Sequence, residues 1–384
     1  MLLVSSFVLP HAGGVEQFVD TAADLLRERG CRVRVLACRA REHVGADATV
    51  PTWFLPRAGW PLPVGGWRTL WREVSRADVV VVNGARHLLP ALATLVARLR
   101  RRRVLFVLHG SGAAFSTSTF LYHRVLGSLF ELAVARPALR LAEPVSLSRA
   151  GVDGARRRYR VRAAYLPYPL RDLPPARARP LEGDRDVLEI AWVGRLYREK
   201  NPLAAVAVVE DVRAQRPAIL RVYGDGVLGP ELERLAADRP WLVLAGPRSW
   251  AAIQAAQERA HVCLSTSLRD ATQLGVLEPL ARGIPVVSTR VGDAPGHYVV
   301  PSLEPFCVHA GEVGAAAAAI VDLASAYDLF RREFARNGRL LRARHLRGRA
   351  RLLSLVEASA STAHVLDAEP APVSSFALEA GSGE

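Results

Sequence analysis

Short, uninterrupted runs of apolar and β-branched residues recur through this chain, separated by helical segments, and that alternation constrains its fold more than any other feature. In the first half the runs are LLVSSFVL, CRVRVLAC, ADVVVVN, RVLFVLHG, PVSLS and AAYLP. Amphipathic stretches such as VEQFVDTAADLLRERG, with Gly30 placed to end it, and the apolar LLPALATLVARLRR lie between them. Strands that are apolar on both faces must be covered on both, so helix-separated runs of this kind predict a buried parallel sheet, doubly wound. Residues 171–187 then break the pattern with Pro, Arg and acidic residues and no periodicity, as a linker does. After the linker the alternation restarts, with LEIAWVG, AILRVYG, WLVLAG, HVCLST and IPVVST as strands.

The expected architecture is therefore α/β, with two Rossmann-like doubly wound domains facing across a cleft. The first spans residues 1–170, the linker 171–187, and the second 188–356 with a terminal basic helix. The small, polar and acidic segment 357–384 is expected to be disordered. A length of 384 residues fits two such domains and a tail. Ligands of such folds bind at the carboxyl ends of the strands, in the cleft.

Composition excludes several classes. No apolar run approaches the roughly 18 residues that span a bilayer. The opening MLLVSSFVLP lacks a basic residue ahead of its apolar stretch and reads as a first strand rather than a signal peptide. Cys31, Cys38, Cys263 and Cys307 are scattered, which suggests neither a zinc site nor a disulfide framework and fits a reducing, cytoplasmic setting. The net charge is +14, yet Lys occurs once, at Lys200, so the other 50 of 51 basic residues are Arg. Arg at that frequency beside abundant Ala and Gly is the bias of a GC-rich genome. A basic nucleic-acid-binding protein is the alternative of a different class, but no such motif is present and Arg is spread throughout. Charge of this sign suits an anionic substrate or an anionic membrane surface at least as well.

Two segments of the second half carry the chemistry. In VGRLYREKNP (193–202) a strand ends at Gly194, and Arg195 and Lys200 follow in a turn before a helix near Pro202. That places two cations at a strand's carboxyl end, where a departing diphosphate needs its charge neutralised. In HVCLSTSLRDATQLGVLEPLARGIPVVST (261–289) a strand leads through a polar loop into a helix that starts between Thr272 and Leu274. The N–H groups of Thr272, Gln273, Leu274 and Gly275 at that helix start suit phosphate. Asp270 in the loop and Glu278 in the helix stand eight apart, and such carboxylates can accept sugar and ribose hydroxyls respectively. Each of these residues has a plain alternative as a solvated surface group.

The first half contributes less specific signals. His11-Ala12-Gly13-Gly14 sits between the first strand and its helix, where glycine permits close backbone approach to a ligand. His109 ends the run VLFVL and points to the same cleft. Trp53, Trp60, Trp67 and Trp71, four of seven Trp, fall in residues 51–72. They either pack a loop onto the sheet or, together with the Arg-dense helix near 331–350, form a surface for an anionic membrane.

Taken in order, GRLYREKNP, YGDGVLGPELERLA, LAGPRSW and SLRDATQLGVLEPLARGIPVVST resemble the retaining glycosyltransferases of the GT-B fold, specifically glycosyltransferase family 4. PHAGGVEQFV resembles that family's Gly-Gly loop and first helix. The resemblance implies transfer of a hexosyl unit from a nucleoside diphosphate sugar, UDP favoured over GDP, with retention. Activity without an acceptor would instead mark a nucleotide-sugar epimerase of the same fold.

By position the resemblance assigns Arg195 and Lys200 to the diphosphate, Glu278 to the ribose and Asp270 to the donor sugar. It assigns Gly14 to the diphosphate from the opposite domain, His109 to the transferred sugar, and Pro247–Arg248 to the border of the base. It implies no cofactor and no metal, and an acceptor that is a small molecule, a saccharide or a lipid-linked species handled in the cytoplasm or at the inner membrane face. Three positions depart from the family pattern. Asp270 stands where Glu is usual, Ala271-Thr272-Gln273 where Gly-aromatic-Gly is usual, and Pro167-Tyr168-Pro169 where Pro-Asn-Gly is usual.

Overall fold

The computed structural model describes residues 1–8, 13–39, 45–55, 60–110, 121–176, 179–181, 183, 186–294 and 296–357. The segment expected to be disordered, from 358 onward, lies outside the described residues, as do His11 and Ala12. Glu357 itself closes a helix rather than opening the tail.

The first sheet has seven strands, all parallel: β1 (Leu2–Ser5), β2 (Arg34–Cys38), β3 (Ala48–Val50), β6 (Val79–Asn83), β7 (Arg103–Leu108), β8 (Glu143–Ser146) and β9 (Ala164–Tyr165). They run in the order β3-β2-β1-β6-β7-β8-β9. A small antiparallel hairpin, β4 (Thr52–Phe54) with β5 (Pro61–Pro63), stands apart from it. The second sheet is β12-β11-β10-β13-β14-β15, again parallel throughout. Its strands are β10 (Leu188–Val193), β11 (Ala218–Tyr223), β12 (Leu242–Gly246), β13 (Val262–Ser265), β14 (Val286–Thr289) and β15 (Cys307–Val308). The hairpin, β3 and the two-residue β15 are too short to carry a periodic signal, and sequence reading misses them.

In the first half the helices are α1 (Gly14–Glu28), α2 (Trp67–Ser75), α3 (Leu88–Leu99), α4 (Leu121–Phe130), α5 (Arg136–Arg140) and α6 (Arg149–Gly154). A π turn over Glu131–Ala135 joins α4 to α5. In the second they are α7 (Pro202–Arg213), α8 (Gly229–Ala237), α9 (Trp250–Arg259), α10 (Leu274–Arg282), α11 (Val313–Ser325) and α12 (Tyr327–Glu357).

Strand alternation divides the first domain into two cores. Leu3, Val35, Val81, Leu105 and Val107 point to the α1 side, where they join one apolar cluster continuous with the whole second domain. Leu2, Val4, Leu36, Val82 and Phe106 point the other way, against Leu70 of α2, Leu89 of α3 and Leu139 of α5. The 31-residue α12 belongs to the first of these clusters through Leu341, Leu352 and Val356. It reaches back to the first domain, where His345 Nδ1 meets the Tyr168 carbonyl at 2.5 Å and Arg349 pairs with Glu28 at 3.4 Å. The Arg-dense helix and the Trp-bearing α2 belong to different apolar clusters.

The described residues of the linker form neither helix nor strand before β10, yet they are tied down. Arg282 donates to the carbonyl of Pro174 at 3.3 Å, and the Ala176 amide donates to the carbonyl of Arg282 at 3.0 Å.

Candidate functional site at the interdomain cleft

In each sheet the order in which successive strands are added reverses beside the first strand, between β1 and β6 in one and between β10 and β13 in the other. Strand ends flanking such a reversal diverge and leave a crevice. The described residues singled out from the sequence follow such strands, except His109 after β7 and Arg248 after β12. Gly14 opens α1 after β1, and His109 follows β7. Gly194, Arg195 and Lys200 follow β10. Asp270 to Gly275, with Glu278, follow β13.

The turn after β10 is held by the loop after β11. The Gly194 amide donates to the Tyr223 carbonyl at 3.0 Å and the Leu196 amide to the Asp225 carbonyl at 2.7 Å. Gly224 makes this possible: its φ is +136°, and a Cβ there would sit 1.9 Å from the Gly194 carbonyl oxygen. Arg195 is exposed, with its guanidinium 5.4 Å from the Tyr197 ring. Lys200 is ion-paired with Asp270, whose other oxygen accepts the Ala271 amide at 3.0 Å. The Leu268 amide donates to the Glu199 carbonyl at 2.8 Å, so the two loops pack as one unit.

That unit faces the first domain closely. A Cβ on Gly14 would lie 3.2 Å from Leu274 Cδ1, and one on Gly110 would lie 3.4 Å from the Ala271 Cβ. The N-termini of α1 and α10 thus meet across the cleft; no N-cap side chain bonds either helix, and the first turn of α1 carries the buried carboxylate of Glu16. Two helix starts aimed at one place make a site for an anion. Thr272 bridges the same gap, its hydroxyl donating to the Leu147 carbonyl at 3.5 Å.

Gln273 keeps its side chain out of the cleft. Its side chain is buried, accepting from Ser265 at 3.1 Å and donating to the Val291 carbonyl at 2.8 Å. What it offers the cleft is its backbone, while the amide side chain braces the loop against β14. Arg248 is exposed and folds onto its neighbour's carbonyl, 3.2 Å from the Pro247 oxygen.

Glu278 is buried and accepts three hydrogen bonds: from Gln17 at 2.5 Å, Trp250 at 3.2 Å and Gln254 at 2.8 Å. Burial raises its pKa above the ordinary carboxylate value, and these three bonds pull it back down. His109 bonds through Nε2 to the Asn83 side-chain oxygen, and its ring meets Phe18 edge-on at 5.3 Å. Loss of water around the ring, and then the charge of Arg86, lower its pKa to about 3. It is a neutral imidazole. Asn83 is oriented in turn by Ser5 at 3.2 Å and the Val15 carbonyl at 3.1 Å.

Sequence reading missed Gln17, Asn83, Trp250, Gln254, Gly292 and Asp293. Gln17 lies one helical turn past Gly14 and Trp250 two residues past Arg248, so their spacing was available. Asp293 was not legible: its carboxylate accepts the Arg149 and Ala150 amides at 3.0 and 3.1 Å, capping α6 of the opposite domain. Among the described residues no group of three or more His, Cys, Asp or Glu side chains is gathered as for a metal ion.

Comparison with known proteins accounts for both halves. The model of Glycosyltransferase Family 4 matches residues 12–169, and that of Glycosyl transferases group 1 matches residues 188–326. The chain is 26% identical over 332 residues to one of the component chains of the phosphatidylinositol N-acetylglucosaminyltransferase of Arabidopsis thaliana, covering 77% of this chain and 68% of that protein. Among solved structures it superposes on Anabaena HepE, solved in complex with UDP, with a TM-score of 0.70 at 16% identity, covering 93% of this chain and 99% of the other. Sucrose-phosphate synthase from Thermosynechococcus elongatus gives 0.65 at 18% identity, with coverage of 93% and 99%. With a doubly wound domain on each side of the cleft and a matching model for each, the chain belongs to the GT-B-fold glycosyltransferases, its first domain of family 4 and its second of group 1.

Proposed function

We propose that this glycosyltransferase moves a hexosyl unit from a UDP-sugar to its acceptor with retention of configuration, using positive charge supplied by its own residues. The observation that carries this reading is the meeting of the α1 and α10 N-termini at Gly14 and Leu274, beside Lys200. A diphosphate seated between them would gain positive charge from both helix ends and from two side-chain cations. Those interactions strengthen as the bond to the sugar breaks and charge grows on the leaving oxygen, so they favour the transition state. UDP is favoured over GDP because HepE was solved with UDP and UDP-glucose.

Each residue then has a task. Lys200 and Arg195 neutralise the departing diphosphate, with Asp270 holding Lys200 until the donor arrives and thereafter contacting the sugar. Glu278 accepts the ribose hydroxyls in place of one or more of its present donors. Neutral His109, fixed by Asn83, positions a sugar hydroxyl by hydrogen bonding and carries no charge. With retention, the acceptor attacks from the side the diphosphate leaves, and the leaving phosphate oxygen takes the acceptor proton.

The test is a binding series followed by turnover. UDP and UDP-hexoses should raise the melting temperature more than GDP and GDP-hexoses do. With the best donor, the released UDP and the anomeric configuration of the product, read by NMR, then decide the reaction. Preference for GDP, an inverted product, or sugar conversion that needs no acceptor would each overturn the corresponding part.

A further inference from the structure

The three donors that surround the Glu278 carboxylate are not equally free to give way. Gln254 on α9 is buried and fixed at both ends of its amide. Its Nε2 donates to Glu278 Oε2 at 2.8 Å, and its Oε1 accepts from Arg282 Nη1 at 3.3 Å. The same guanidinium nitrogen donates to the Gln254 backbone carbonyl at 2.8 Å. Trp250, also on α9, donates to Glu278 Oε1 at 3.2 Å, with the Arg171 guanidinium 5.3 Å over its ring. Arg171 is itself ion-paired with Asp20 of α1. To withdraw the indole is to move a whole ring from beneath that cation.

Gln17 is held differently. It reaches Oε1 at 2.5 Å from the opposite domain, is only half-buried, and its side-chain oxygen has no partner among the described residues. Its N–H group must be the one that faces Glu278, because an amide oxygen there would meet a carboxylate oxygen. Helix α1 does not depend on this bond. Phe18 and Val19 are buried in the core, the Val15 carbonyl accepts from Asn83 at 3.1 Å, and the Gly14 carbonyl accepts from Tyr168 at 3.3 Å. The amide of Gln17 can therefore swing away on its own side-chain torsions while the helix stays in place.

The lone pairs of the carboxylate show why it must. Each oxygen has room for about two donors. Oε2 has one, from Gln254, while Oε1 already has two, from Gln17 and Trp250. A ribose diol that bonds both oxygens needs an open place on each. On Oε1 that place exists only when one donor leaves, and Gln17 is the donor that leaves most easily.

We infer that Gln17 occupies the ribose's place on Glu278 and lowers donor affinity by competing with the nucleotide. The inference rests on the ribose role of Glu278 proposed above and adds the sign of a residue that lines the site. Removing a residue that contacts a ligand weakens binding, whereas removing a competitor strengthens it. A short bond to a charged acceptor that is made about nine-tenths of the time lowers the apparent affinity about tenfold.

Calorimetric titration of the full chain with UDP and with dideoxy-UDP, which lacks both ribose hydroxyls, tests it. Gln17→Ala and Gln17→Met, the second of which keeps the length without the N–H, should each bind UDP about tenfold more tightly than the wild type. Both should keep the wild-type melting temperature. Their affinity for dideoxy-UDP should equal that of the wild type, because this analogue asks nothing of Glu278. A wild type that binds the two nucleotides equally would remove the ribose role of Glu278, and this inference with it. A wild type that prefers UDP, with folded Gln17 variants that bind UDP no better, leaves that role standing and overturns the inference alone. Equal tightening toward both nucleotides also overturns it, since Gln17 would then act on the spacing of the domains rather than at the ribose.

Discussion

Gln17 on α1 donates its side-chain N–H to Oε1 of Glu278 on α10, 2.5 Å away across the cleft between the two sheets. One carboxylate is thereby tied to both domains, because Trp250 and Gln254 hold it from α9 within its own. A donor that takes Glu278 for its ribose must replace part of this network, so nucleotide binding and the closeness of the domains are coupled.

Glu278→Gln should therefore weaken donor binding about tenfold, the loss of one charged hydrogen bond. The amide also places an NH2 among three groups that now all donate, of which Trp250 can only give. Because ribose contacts are much the same before and during reaction, KM for the donor should rise more than kcat falls. Calorimetric titration with UDP checks this; an unchanged dissociation constant would remove the ribose assignment.

Lys200→Ala should lower kcat by about a hundredfold or more, as for a lost oxyanion donor, with little change in thermal stability. Lys200→Arg should also be impaired, since the broader guanidinium cannot occupy the compact site against Asp270. Asp270→Asn should lower kcat more than it raises donor KM. Steady-state kinetics with the best donor reads all three, and wild-type turnover in Lys200→Ala would be incompatible with the diphosphate role.

Gly292→Ala should damage the site from outside it. Gly292 has φ +64°, and a Cβ there would lie 2.4 Å from the Ala271 carbonyl oxygen and 2.7 Å from that of Asp270. The loop that carries Asp270 must shift to admit a methyl. A non-glycine residue in this conformation costs roughly 1–2 kcal/mol before any clash. The expected outcome is a melting temperature lower by at least about 2–4 °C, with a fall in kcat. Wild-type values for both would show that the loop is not held from this side.

Acid should destabilise the fold through buried neutral histidines. Desolvation holds His87 at about 4, His109 at about 3 and His345 at about 4, with the charge of Arg86 adding to the first two. The unfolded chain titrates these groups near pH 6.5. Between the two values it binds more protons than the folded chain, so stability rises with pH and is lost as pH falls below about 6.5. His345→Gln removes one such group. Urea unfolding at about pH 5 and about pH 7.5 should show a smaller pH difference for this variant than for the wild type. An equal difference would mean that His345 is protonated in the folded state.

Several parts of the site were legible because they lie within one segment. Arg195 and Lys200 share one turn with Gly194, and Asp270, Leu274 and Glu278 share one loop and helix, so spacing along the chain carries them. Gln273 shows where that reasoning ends. Its position is right for the helix start, but whether its amide faces ligand or β14 depends on Ser265 of β13 and Val291 just past β14. Asp293 and Gln17 act on the opposite domain, and nothing near them in sequence names their partners.

The sequence by itself determined what local periodicity and short-range chemistry can encode: two helix-separated sets of buried strands, a linker, and the cations and helix starts at particular strand ends. Only the tertiary structure decided which strand ends flank each reversal and which α1 side chain reaches Glu278. It also decided that Glu73 and Glu131 turn inward, where they pair with Arg34 and Arg158. The physical reason is that a strand or helix is selected by interactions within a few residues, whereas a cleft and a surface are selected by packing between residues hundreds of positions apart. Gln17 and Glu278, 261 residues apart in sequence and one hydrogen bond apart in space, are the plainest instance.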